Sequence, residues 1–116
     1  MKRGKLGNRP ASIAEAMRVE YECVANAGIV LQIDCPDLAM GRHIQYAELS
    51  LAEFRKRARQ HIEALNHSLR NIPAEQLRIH LCWGNYEGPH HRDVALADII
   101  DIVFAFSTRH LEGMWW

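Results

Sequence analysis

This chain has no excess of either positive or negative charge. Its 116 residues carry 14 Lys and Arg against 14 Asp and Glu, for a formal net charge of zero. Such a balance offers no uniform basic surface from which a polyanion could release counterions, which argues against nucleic acid as a partner. Long hydrophobic runs are missing too. The apolar stretches are a few residues each, against the roughly 18 that a membrane helix needs. The basic opening Met1-Lys2-Arg3-Gly4-Lys5 leads into no apolar segment of the secretory kind. Cysteine is scarce: Cys23, Cys35 and Cys82 cannot all pair with one another, and none stands in a C-x-x-C, so thioredoxin-type redox chemistry is unsupported. Repeats, low-complexity tracts and Pro/Ser linkers are absent, and Gly84 and Gly88 lack the spacing of a phosphate-cradling loop. With 24% charged and 48% apolar residues, the expectation is one cytoplasmic domain with no membrane partner.

What is present alternates between helical and strand periods. Ser12-Ile13-Ala14-Glu15 has the form of a capping box, and Ile13, Met17, Tyr21 and Val24 recur on one face of a helix that Gly28 can end. Ile29 to Asp34 reads as a strand with Ile29, Leu31 and Ile33 on one side and Val30, Gln32 and Asp34 on the other; Cys35-Pro36 stops it. Asp37 to Glu48, holding Arg42, His43 and Tyr46, shows no period and reads as a long loop. Ser50-Leu51-Ala52-Glu53 is a second capping box, with Leu49 and Phe54 at the positions of a hydrophobic staple. The helix it opens, Leu51 to Arg70, carries the stripe Leu51, Phe54, Ala58, Ile62, Leu65 and Leu69, which should pack on a sheet while Arg55, Lys56 and Arg59 stay in solvent. Pro73 marks its end. Leu77 to Trp83 reads as a second strand, Gly84 to Pro89 as turn, and a third helix follows with Leu96, Ile99, Ile100 and Val103 inward and Asp98 and Asp101 outward. Helix, strand, helix, strand, helix implies βαβ units and a parallel sheet, although two strands are few for a sheet covered on both faces.

The alternation makes a chemical statement. His80 and Cys82, two apart, leave the same face of the second strand, and Asp34 and Gln32 share a face of the first. Both polar sets stand toward the C-terminal strand ends, the rim where parallel α/β folds bind ligands. Asp34, His80 and Cys82 should therefore meet on one concave surface. His with Cys is half of a zinc site, and a small polar pair bonded to backbone or water fits the same pattern. Cys35 is a conceivable third ligand whose direction the sequence leaves open. Asp34 reads equally as a turn cap or a substrate contact. His90-His91 with Asp93 reads as a metal cluster or as a solvated loop, Cys23 as a small core residue, and Trp115-Trp116 as an apolar tail.

Gln32-Ile33-Asp34-Cys35-Pro36, followed about 45 residues on by Arg78-Ile79-His80-Leu81-Cys82-Trp83-Gly84-Asn85-Tyr86, resembles the cobalamin-independent methionine synthase family. It is most similar to the single-barrel branch related to that enzyme's C-terminal catalytic domain. The resemblance covers residues 17–103 or thereabouts, leaving 1–11 and 104–116 as divergent ends. It implies a (β/α)₈ TIM barrel, a zinc cofactor, and methyl transfer from a methyltetrahydrofolate-type donor to a thiol such as homocysteine in methionine biosynthesis. His80 and Cys82 match the family's first two zinc ligands, and Asp34 matches the acid that contacts the amino group of homocysteine. The remaining ligands in that family are a glutamate on the next strand and a later cysteine. Phe104 to Trp116 does not follow that strand, and Glu112 has no matching context. A full barrel needs about 250 residues, so the resemblance implies a partial barrel, a truncated fragment whose two secure ligands would hold zinc weakly. The isolated chain is then expected not to be a competent methyltransferase. The other reading is a non-catalytic α/β interaction module or partner-dependent subunit.

Overall fold

The computed structural model describes residues 9–85 and 87–106. In chain order it contains α1 (Arg9–Asn26), β1 (Leu31–Asp34), α2 (Met40–Ile44), α3 (Leu51–Ser68), β2 (Leu77–His80) and α4 (Ile100–Phe104). Single 3-10 turns lie at Pro36–Leu38, Ala74–Gln76 and Leu96–Asp98. Tyr86, Glu112, the Trp115-Trp116 ending, and residues 1–8 and 107–116 of the divergent ends lie outside the described residues.

Helix α3 forms where its sequence signals place it. The Glu53 amide donates to Ser50 Oγ at 3.2 Å and the Ser50 amide donates to Glu53 Oε2 at 3.1 Å, which satisfies two donors that the first turn would otherwise leave open. Phe54, Ala58, Ile62 and Leu69 are buried and Leu65 packs beside them, whereas Leu51, at the first helical residue, stays exposed. The helix stops at Ser68, short of Arg70: the Leu69 amide still donates to Leu65 O, but the Arg70 amide turns to His67 O, three residues back, and the ladder ends there.

This stripe covers a sheet of two parallel strands. Leu31, Gln32, Ile33 and Asp34 of β1 stand opposite Leu77, Arg78, Ile79 and His80 of β2, with α3 as the crossover between them. Both strands are shorter than expected. Ile29 and Val30 are exposed ahead of β1, and β2 leaves the ladder at His80 rather than Trp83. The phase is as expected: Ile33 is buried and Leu31 packs on the core, while Gln32 and Asp34 face out.

Other elements differ from the sequence reading for identifiable reasons. Helix α1 begins at Arg9, so Ser12 is interior to it and forms no capping box. Glu15, the residue that would complete the box, instead accepts from Arg18 at 3.1 Å and meets His67 of α3 at 2.7 Å. The inward face of α1 centres on Ala14, Tyr21 and Ala25, and Ile13 is 61% exposed. Gly28 follows the helix with φ +79°, the left-handed conformation a helix end favours glycine for. Residues 37–48, which lack a period, contain the end of a 3-10 turn opened by Pro36 and then α2, from which Arg42 donates to Tyr46 O and Ala47 O in the segment that follows the helix. A five-residue helix is too short to show a period. Toward the C-terminus, Ile99, Ile102, Val103 and Phe106 are buried but Leu96 is exposed, because Leu96–Asp98 form a separate turn out of phase with α4. Arg55 is not left in solvent: it donates to both oxygens of Asp101, at 2.8 and 2.7 Å, and to Asp98 O. Arg59 reaches the same carboxylate, and Arg55 above all holds Asp101 far below the usual carboxylate range. No helix among the described residues is long and apolar enough to cross a membrane.

Two outcomes follow from these contacts. Ser50→Ala should lower stability in urea unfolding by about 1 kcal/mol, with Ser50→Thr retaining most of it. The hydrogen bond from Arg18, then that from His67, holds the Glu15 carboxyl down at about 2 against an ordinary 4.5. Its contribution to the α1–α3 junction should therefore be complete above pH 4.5 and vanish as the pH falls through about 2. Unfolding of wild type and Glu15→Gln across that range should show the difference between them closing only on the acid side.

Candidate metal centre

The last residue of β1 and the last residue of β2 are register partners, so the side chains of Asp34 and His80 rise from one face of the sheet. Cys82 lies past the ladder, yet its backbone stays aligned. The Cys35 amide donates to His80 O at 2.9 Å and the Met40 amide donates to Cys82 O at 3.3 Å, so two bonds outside the sheet hold residues 80–82 to the β1 side. Beyond them, Trp83 donates its indole N–H to Val94 O at 2.7 Å and packs with the cluster of Ala39, Phe54, Val94 and Ile99. Gly84 then turns the chain with φ +76°, and a side chain there would collide with Met40 Sδ.

The outcome is that Asp34, His80 and Cys82 converge. One ligand atom of each lies within 4.8 Å of the other two; Asp34 and His80 are exposed and Cys82 is half-buried. Tetrahedral zinc with bonds of 2.0–2.3 Å would set its ligands about 3.3–3.8 Å apart, a difference that small side-chain rotations close. An imidazole nitrogen, a thiolate sulfur and a carboxylate oxygen are all ordinary zinc donors, so the residues fit the ion. Among the described residues no backbone amide donates to the Asp34 carboxylate, which sets the turn-cap reading aside.

Cys35 does not join them. Its side chain is buried in the main core with Ile33, Leu38 and Ile62. Burial, and then the charges of Asp37, Asp34 and Cys82, push its thiol up to about 12, so it is a neutral core residue. Cys23 is exposed on α1 rather than part of the core.

Two further groups were not foreseen. A cavity of about 360 Å³ lies between α1, α3 and the end of β1, with Met17, Tyr21, Ile33 and Leu65 among its walls. His61 of α3 stands at it, with Nδ1 2.7 Å from Asp37 Oδ2. These two are 24 residues apart, a separation that carries no sequence signal. On the loop after β2, His90 Nδ1 is 2.8 Å from Asp93 Oδ2, and the His90 and His91 rings both meet His43 of α2. The sequence marked His90, His91 and Asp93 but had no means of bringing His43 to them.

Comparison with protein-family models, with curated proteins and with solved structures finds no match to this chain.

The different surroundings of the three thiols give a direct check. Ellman's reagent on the native, metal-free chain at pH 8 should titrate Cys23 and Cys82, and Cys35 should react only after unfolding. Rapid native labelling of Cys35 would contradict its place in the core.

Proposed function

We propose that the chain binds zinc through Asp34, His80 and Cys82 and serves thiol methylation of the kind the methionine synthase resemblance implies. The acceptor is a thiol such as homocysteine, and the donor is a methyltetrahydrofolate-type methyl carrier. The observation that carries the reading is the convergence of one nitrogen, one sulfur and one oxygen donor at the C-terminal rim of two parallel strands. Catalytic zinc sites use three protein ligands and leave a fourth position for substrate; counting Asp34 as a ligand, in place of the two-ligand set expected from the sequence, brings this set to that number and is what makes thiol activation by the isolated chain worth testing. The βαβ unit formed by β1, α3 and β2 is compatible with part of a (β/α)₈ barrel, the finer fold belonging to this reading.

When bound, zinc supplies Lewis acidity that favours the thiolate form of a thiol. The chain's own residues do the rest. His80 offers a ring nitrogen. Cys82, half-buried, supplies an anionic sulfur once deprotonated. Asp34 offers two oxygens, so a carboxylate that holds the ion with one keeps the other for the ammonium of an amino-acid thiol. In the transfer itself, the acceptor sulfur forms a new S–C bond as the donor's N–C bond breaks, and the donor nitrogen keeps that electron pair and takes up a proton.

A small free electrophile isolates the thiol half of this chemistry. The zinc-loaded chain should accelerate methylation of homocysteine by methyl iodide, and Cys82→Ser and Asp34→Asn should each lower zinc affinity at least tenfold and remove the acceleration. Equal rates with and without zinc-loaded protein, or no zinc retained at micromolar concentration, would leave the chain as a non-catalytic module.

A further inference from the structure

We propose that the cavity between α1, α3 and the end of β1 is a binding site for a small phenol with a short alkyl chain, its hydroxyl held by the imidazole of His61. Ala14 on α1 and Ala64 on α3 are among the walls and are too small to close the space, which measures about 360 Å³. Most of the remaining wall is apolar, with Ile13, Leu38, Ile62 and Leu65 in it. Ligand cavities run from about 300 to 1,000 Å³ and join such walls to a few placed polar groups, and about 150 Å³ already admits benzene. There is room here for one ring and a short chain. Met17 and Tyr21 favour a ring, because thioether sulfur and aromatic edges both prefer aromatic neighbours. Ile13 is 61% exposed at the cavity, an apolar side chain that such a ligand would cover.

The polar groups select the head of the ligand. Asp37, on the turn after β1, and His61, on α3, both stand at the cavity, with His61 Nδ1 2.7 Å from Asp37 Oδ2. Each is followed by a residue fixed in the core, Leu38 at 1% and Ile62 at 2% exposed, which holds the pair in place. The carboxylate engages Nδ1 and leaves Nε2 as the ring nitrogen that a ligand can meet. A neutral imidazole accepts there and an imidazolium donates, and a hydroxyl answers either. A ligand carboxylate would instead meet the like charges of Asp37 and Asp34, which both border the cavity. An ammonium would give up its water to apolar walls while His61 already engages Asp37. Ser68, also at the cavity, donates its own hydroxyl to Leu65 O at 2.7 Å and is not available.

Calorimetric titration of the metal-free full chain tests this with para-ethylphenol, against ethylbenzene, para-ethylbenzoate and para-ethylbenzylamine. The phenol should bind one to one and about tenfold more tightly than ethylbenzene, the difference one hydrogen bond makes, and more tightly than either charged analogue. His61→Phe keeps a ring at that position and should bring the phenol down to the affinity of ethylbenzene. Ala64→Phe should fill the cavity and remove binding of both. The wild-type chain gives an answer independent of any variant. There the phenol should shift the His61 Nε2 resonance in ring ¹⁵N spectra and show nuclear Overhauser contacts to the methyl groups of Met17 and Leu65. No binding, or binding without those contacts, would overturn the site. Equal affinity for the phenol and ethylbenzene, or tighter binding of the benzoate or the amine, would overturn the role given to His61.

Discussion

Parallel pairing in one register aligns Asp34 with His80, and every chemical feature at this end of the molecule hangs on that alignment. Strand side chains repeat every two residues, so a slip of one position would turn Asp34 toward the helices and bring Ile33 to the rim. Leu31 and Ile33 prevent the slip because their burial against α3 is lost if it occurs. The two amide bonds beyond the ladder, from Cys35 and Met40, extend the same alignment to Cys82 with no further strand. A three-residue cluster is thus positioned by apolar side chains on the opposite face.

The packing that secures the register is concentrated in α3. Its inward stripe seals the sheet, with Phe54 joining a second cluster that includes Val94 and Ile99 and anchors the segment after β2. Arg55 and Asp101 join α3 to α4 by a two-pronged ion pair at the edge of this core. Glu15 links α1 to the far end of α3 through His67 and Arg70. Exposed pairs of this sort contribute little individually. They set the relative orientation of helices whose burial supplies most of the stability.

Features with local or strictly periodic causes were legible in the sequence. The α3 capping box, the inward phase of Ile33, the left-handed Gly28 and the shared face of His80 and Cys82 each follow from residues within a few positions of one another. Features decided by distant partners were not. Ser12 is interior to a helix that begins at Arg9, and Glu15 turns instead to His67 of α3 and to Arg70 just beyond it. Arg55 left solvent because Asp101, 46 residues on, came within reach. His43 met His90 and His91 only because α2 and the loop after β2 fold against each other. For the cluster itself, alternation gave the direction of Asp34, His80 and Cys82, but only the register could make them neighbours.

The crossover between the two strands has a kinetic consequence. All of α3 intervenes between Asp34 and His80, so the rim has no precursor in any contiguous stretch of chain. Helices nucleate in microseconds from local contacts, whereas parallel pairing must wait for the intervening segment to close. The cluster can therefore form only once the two strands have paired. An ion captured there would act as a latch on the whole topology, slowing the loss of the strand pair more than it hastens its formation.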